Sequence, residues 1–221
     1  MATIKEFTHS YPSLSAVFTV AAAVGDVVIF LESSNDYSTT RSVSDNLGNT
    51  YTQRKLQIDS VPSSTGGTIW TTVVTVAGTI TVSVNSMSDC GVSAFLVSGL
   101  TGNVQDVQGS NSINPNPSVS LTTTSSCSLF ALWANEANNV WGSWSSPLTL
   151  QNYDGGHYDS VGYALGVAAG TASFGASSSA SSYTILIVIA MAEVVDGSTS
   201  LLSTGANSLL TYGGNILSTT I

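Results

Sequence analysis

The hexapeptide Thr79–Val84 alternates without a break, with Thr79, Thr81 and Ser83 interleaved with Ile80, Val82 and Val84. A period of two sends successive side chains to opposite faces, so this is a strand with one aliphatic and one hydroxyl face. The run Ile69–Val76 precedes it across Ala77-Gly78, and glycine suits a tight hairpin turn. A third apolar run, Val92–Val97, follows a polar loop. The three runs are expected to be neighbouring strands of one sheet. Such a sheet needs a second layer over its apolar face, which points to a β-sandwich.

The rest of the chain supplies candidates for that layer. Leu14–Val20, Asp26–Leu31, Thr50–Ile58, Val119–Leu121, Ser128–Trp133, Leu148–Tyr153, Tyr158–Val167 and Tyr183–Val195 read as further strands. Asn46–Asn49 and Thr101–Asn103 read as turns, Ser33–Ser44 as a hydroxyl-rich loop, and Asn111–Pro117 as an extended connection. Asn135–Pro147 reads as a polar loop carrying Trp141 and Trp144. No amphipathic helix precedes residue 196. The expected architecture is an all-β antiparallel sandwich, jelly-roll-like, of about eight to ten strands over residues 1–195, with a tail over 196–221.

Composition narrows function by exclusion. Only 8% of residues are charged, against roughly 25% in ordinary soluble domains. The four basic residues are Lys5, Arg41, Arg54 and Lys55, and the formal charge is −9. Phosphate neutralisation requires clustered cations, so nucleic-acid binding is excluded as a partner class. In a strongly acidic medium the 13 carboxylates lose most of their charge. A chain rich in Lys and Arg would then repel itself, and this one would not. MATIKEFTHSYPSL lacks the apolar core of a secretory signal, and no run is long enough to span a bilayer as a helix. An extracellular composition behind a cytosolic-looking start fits a virion protein, or a mature secreted chain.

Residues that would carry chemistry are scarce. The chain has no nucleophile elbow, P-loop, H-E-x-x-H or C-x-x-C, and only His9 and His157 as histidines. The sequence is read as non-enzymatic, with no catalytic, cofactor or metal residue. Asp154–Asp159 around His157 has metal-ligand residue types, but a Gly-rich turn explains it as well. Trp141, Trp144 and Tyr153 are the candidate glycan contacts, because flat rings stack on sugar faces. Cys90 and Cys127 form a disulfide if their turns lie side by side, and are otherwise buried thiols.

The uncharged segment Gly197–Ile221 nearly repeats with a period of eight, SLLSTGAN followed by SLLTYGGN. It reads as short strands between Gly-Asn turns or as a glycine-loosened helix, and neither buries its leucines alone. Leu201, Leu202, Leu209, Leu210, Ile216 and Leu217 are therefore the candidate subunit contacts, in an arm that meets a neighbouring subunit or a lipid surface; the alternative is a last strand pair folded onto its own domain.

Several segments carry a family likeness: Val43–Tyr51 (VSDNLGNTY), Ile69-Trp70, Ala77–Val82 (AGTITV), Val97–Leu100 (VSGL) with Asp106, and Ala169-Gly170 followed by Ser177–Met191. Their order resembles β-sandwich domains of viral structural and prokaryotic cell-surface proteins. With the low charge, the chain is most similar to the jelly-roll turret or penton-base proteins of icosahedral viruses of acidophilic archaea. The resemblance implies a structural subunit of a capsid vertex on the virion surface, facing a hot acidic exterior. It also implies a cyclic homo-oligomer, with a pentamer favoured, in contact with other coat proteins. The alternatives are a glycan- or receptor-binding spike that meets a host surface glycan, and a subunit of a cell-surface filament. The tail would then reach a neighbouring protein or an internal membrane.

Overall fold

A computed structural model of the chain describes residues 1–34, 41–58, 65–85, 90–112, 116–135, 141–154, 159–178, 184–195, 201–204, 207–212 and 215–218. Every regular element among them is a strand. The first eight are β1 (Thr3–Ser10), β2 (Ser15–Val17), β3 (Val27–Ser34), β4 (Val43–Asp45), β5 (Thr52–Ile58), β6 (Gly66–Val73), β7 (Thr81–Val84) and β8 (Cys90–Ser98). The next eight are β9 (Leu100–Ser112), β10 (Ser118–Thr123), β11 (Cys127–Asn135), β12 (Trp141–Trp144), β13 (Thr149–Asp154), β14 (Asp159–Val167), β15 (Gly170–Ser178) and β16 (Thr184–Glu193). The segment after residue 196 contains β17 (Leu201–Thr204), β18 (Asn207–Tyr212) and β19 (Asn215–Ser218).

The strand order shows a repeat. The first eight strands form a large sheet β1-β8-β3-β6-β5 and a small sheet β2-β7-β4. The second eight form β9-β16-β11-β14-β13 and β10-β15-β12, the same order shifted by eight strands. Each half is thus an eight-stranded, jelly-roll-like sandwich, antiparallel throughout. The single sandwich expected over 1–195 is two of them. Gly99 joins the halves at φ +78, where an added Cβ would sit 2.5 Å from the Met1 carbonyl oxygen, so glycine is required there.

The halves stack through their large sheets, giving four layers and three cores. The middle core holds Ile29, Leu31, Phe95 and Val97 from the first half against Phe130, Leu132, Ile187 and Ile189 from the second. Phe95 meets Phe130 at a ring-centroid distance of 5.1 Å. Each outer core lies under a small sheet: Phe18, Phe30, Trp70, Ile80 and Val82 in one, Leu121, Leu129, Trp133, Trp144 and Phe174 in the other. This layering explains why β3, β8, β11 and β16 are apolar runs without alternation, since both of their faces are covered.

The strand count exceeds the expected ten because β1, β4, β9, β12 and β15 carry weak signals. Leu100–Ser112 is polar and bends at a register shift, β12 is a bulged four-residue strand, and β15 is small-residue-rich. The expected turn at Thr101–Asn103 lies inside β9. The expected hairpin is also corrected. Thr79–Val84 does bury Ile80, Val82 and Val84 beneath its hydroxyls, but β6 pairs with β3 and β5, and β7 with β2 and β4. Residues 74–80 carry the chain from one layer to the other, and β8 pairs with β1 and β3. The three runs are therefore split between two sheets.

Both halves hold the turn between their second and third strands in the same way. In the first, the Glu6 carboxylate accepts from the Thr19 and Val20 backbone N–H groups and the Thr19 hydroxyl. In the second, Gln105 Oε1 accepts from the Thr124 and Ser125 N–H groups and the Thr124 hydroxyl. All four edge strands of the large sheets, β1, β5, β9 and β13, also contain a register irregularity.

Candidate functional site

The outermost surfaces are the outward faces of the two small sheets, and both are rows of hydroxyls. Ser15, Ser83 and Ser44 stand opposite one another across β2, β7 and β4. In the second half Ser120 meets Ser173 at 2.9 Å, Thr122 meets Thr171 at 3.0 Å and Ser143 meets Ser177 at 3.2 Å. Alternation in short half-buried strands produces these rows: each inward aliphatic leaves a Ser or Thr facing out. An open depression of about 320 Å³ interrupts the second face, lined by Pro117, Ser118, Ser143, Ser145, Gly175 and Ser177 among others. These surfaces bring neutral donors and acceptors, and no charge, to a partner.

Trp144, a candidate glycan contact, is largely buried and also lines the depression. Trp144 lies in β12, inside the outer core, with its ring against Gly162, where an added Cβ would come within 2.7 Å of Nε1. Asn135–Pro147 is thus not simply a polar loop, because β12 buries Trp144 as its covering side chain. Trp141 opens β12 and Tyr153 lies in β13; their side chains are outside the described ones.

Cys90 and Cys127 are free buried thiols. They sit in different outer cores, with the middle core between them, so the possible disulfide is not formed. Burial pushes the Cys127 thiol above its ordinary pKa, and nearby Glu193 adds to that. Cys90 Sγ donates to Glu32, which also pairs with Arg41 in a fully buried ion pair.

Other titratable groups among the described residues make local contacts. Asp45 accepts from Leu47 N–H, Asn49 N–H, the Asn49 amide and the Tyr51 hydroxyl, which fixes the Asn46–Asn49 turn. Burial, and then the Asp45 charge, raise the Tyr51 phenol far above its ordinary value. His9 Nδ1 lies 2.9 Å from Ser93 Oγ across β1 and β8. That is a nucleophile beside a base, but Ser93 is only 2% exposed. Residues 155–158, with His157, lie outside the described residues. Among the described ones no group of three His, Cys, Asp or Glu is placed to hold a metal ion.

In the tail the expected strands are present. β17, β18 and β19 form an antiparallel meander, and their register sets Leu201, Leu210 and Leu217 in one cross-strand row and Leu202 opposite Leu209. Ile216 stands opposite Thr211. The meander pairs within itself, and among the described residues none of its strands joins a sheet of the body. No protein-family profile, characterised protein or solved structure matches the chain.

Proposed function

We propose that this chain is a structural virion subunit, of the kind that builds a capsid vertex, penton base or turret by association with itself and with other coat proteins. The observation that carries this reading is the pair of uncharged hydroxyl faces on opposite sides of a four-layer body. A protein with a formal charge of −9 repels its copies wherever acids meet. Faces of Ser and Thr let copies pack without that repulsion, at neutral or acid pH. Apolar surface closed off at such contacts contributes roughly 25 cal/mol per Å².

The test is the mass of the full chain by light scattering, with electron microscopy of the native particle. A cyclic homo-oligomer, a pentamer in the vertex form of the reading, is expected. A monomer at every concentration would sink it. Glycan binding is the weaker reading. Trp144 and Phe174 line the depression beside its serines, which makes it the place to look, and a glycan array without any bound sugar removes this reading.

A further inference from the structure

The two small sheets correspond strand for strand, and their outer faces differ at one point. In the first half Ser15, Ser83 and Ser44 form a row across β2, β7 and β4. In the second half Ser118 on β10 stands opposite Gly175 on β15. Ser145, just past β12, meets Gly175 from the other side: its N–H donates to Gly175 O at 2.9 Å, and Gly175 N–H donates to Ser145 Oγ at 2.7 Å. The backbone fixes the correspondence. Val84 N–H donates to Leu14 O in the first half, as Ala176 N–H does to Pro117 O in the second. Gly175 therefore stands where the first half has Ser83.

The depression of about 320 Å³ lies where this side chain is missing. Serines 118, 143, 145, 173 and 177 surround it, and Trp144 and Phe174 line it from the core side. The register places Val43 and Val82 at the positions of those two rings in the first half. An opened hydroxyl row and two aromatic rings thus coincide in one half only.

The rim is held in place without a ligand. Besides the bonds to Gly175, Leu148 N–H donates to Ser145 O at 3.0 Å and Ser143 N–H to Ser177 Oγ at 3.0 Å. Hydroxyls carried on a fixed backbone bind with little ordering cost. No Asp, Glu, Lys or Arg lines the depression, so an ionic ligand would find no partner for its charge. A serine hydroxyl both donates and accepts, which suits a ligand whose polar groups are hydroxyls too. The rings and Pro117 offer an apolar surface to a C–H face. A neutral hexopyranose has both kinds of surface. The volume is at the lower end for small-ligand sites, which matches one ring.

We infer that the depression at Gly175 is a binding site for a single ring of a neutral sugar. The inference rests on the glycan reading above and names its place and ligand class. It is independent of the subunit reading.

The test titrates the full chain with the methyl glycosides of glucose, galactose and mannose, and with methyl glucuronide as the charged comparator. Binding of at least one neutral glycoside with a Kd of about a millimolar, and of no glucuronide, is the expected result. Gly175→Ser restores the serine of the first half and should weaken that binding about tenfold or more. A Cβ at this position meets Pro117 O at 2.9 Å, so Ser173→Phe, on the exposed rim, serves as a second blocking variant with the same expected loss. Sugar binding that the folded variants retain overturns the site but leaves the glycan reading standing. Glucuronide bound as tightly as the neutral glycosides overturns the ligand class. Neutral glycosides that do not bind, beside a glycan array with a bound sugar, overturn the single-ring site alone. No sugar bound in either experiment overturns the inference and the glycan reading together.

Discussion

The two halves share a strand order but fill their outer cores differently. In the first half Trp70 on β6 pairs with Phe30 and lies under the small sheet. In the second, the β14 residue that pairs with Ala131 in the same place is Gly162, and Trp144 fills the gap from the opposite sheet. Two residues further along the central strand, the first half buries Glu32 with Arg41, and the second half has Trp133. The layout fixes where bulk is needed but not which sheet supplies it. An indole can hang from either layer, and an ion pair can stand where its counterpart has a ring. All four Lys and Arg residues lie in the first half.

Substitutions that make one half resemble or defy the other sharpen this comparison. The largest effect is expected at the ion pair. Arg41→Ala leaves Glu32 buried without its cationic partner and should cost about 3–5 kcal/mol in urea unfolding. Replacing both partners with apolar residues, Glu32→Leu/Arg41→Met, should recover most of that, as Trp133 does in the second half. If the double variant is no better than Arg41→Ala, apolar filling is not what the second half substitutes.

Gly162→Ala comes next. The methyl would press on the Trp144 ring, and an overpacked site costs about 1–3 kcal/mol. A thermal shift near zero would show that Trp144 moves freely. Smaller still is Lys5→Ala, which breaks a partly exposed pair and should cost about 1 kcal/mol or less.

The smallest effect at neutral pH, and the most telling one in acid, concerns the two turn clamps. Partial burial opposes ionisation of Glu6, but the Thr19 and Val20 donors outweigh it and hold its pKa below the ordinary 4.5. A folded pKa below the unfolded one stabilises above that range, and the gain is lost as pH falls through the folded value. Gln105 has no proton to take up. Glu6→Gln should therefore change little at pH near 7 and flatten the acid loss of stability in urea titrations at pH about 3. An unchanged acid slope would mean that the clamp does not titrate as a unit.

Much of this was legible in the chain. Thr79–Val84 declared its two faces, and the Val27–Leu31 and Ile185–Ala192 runs declared central strands. Their sheets were not legible, because a run buried on both sides reads the same in any layer, and Ala77-Gly78 suits a layer change as well as a hairpin. The repeat was hidden because equivalent positions hold different residues: Glu6 and Gln105, Trp70 and Gly162. The separation of Cys90 from Cys127 follows from that repeat, and so was hidden with it. The tail's octads could be read directly, but they suited short strands and a glycine-loosened helix alike. The depression at Gly175 could not be read, because its lining comes from β10, β12 and β15, which only the fold aligns.

The irregular edge strands bear on how such a molecule behaves in company. A straight sheet edge invites any other edge to zip onto it, and a chain with so little charge has few side chains to prevent that. Shifts in β1, β5, β9 and β13 break the ladder at every lateral border of the large sheets. Copies crowded at high local concentration can then touch without fusing into fibrils, the shape of the backbone edges adding to what few charged side chains supply.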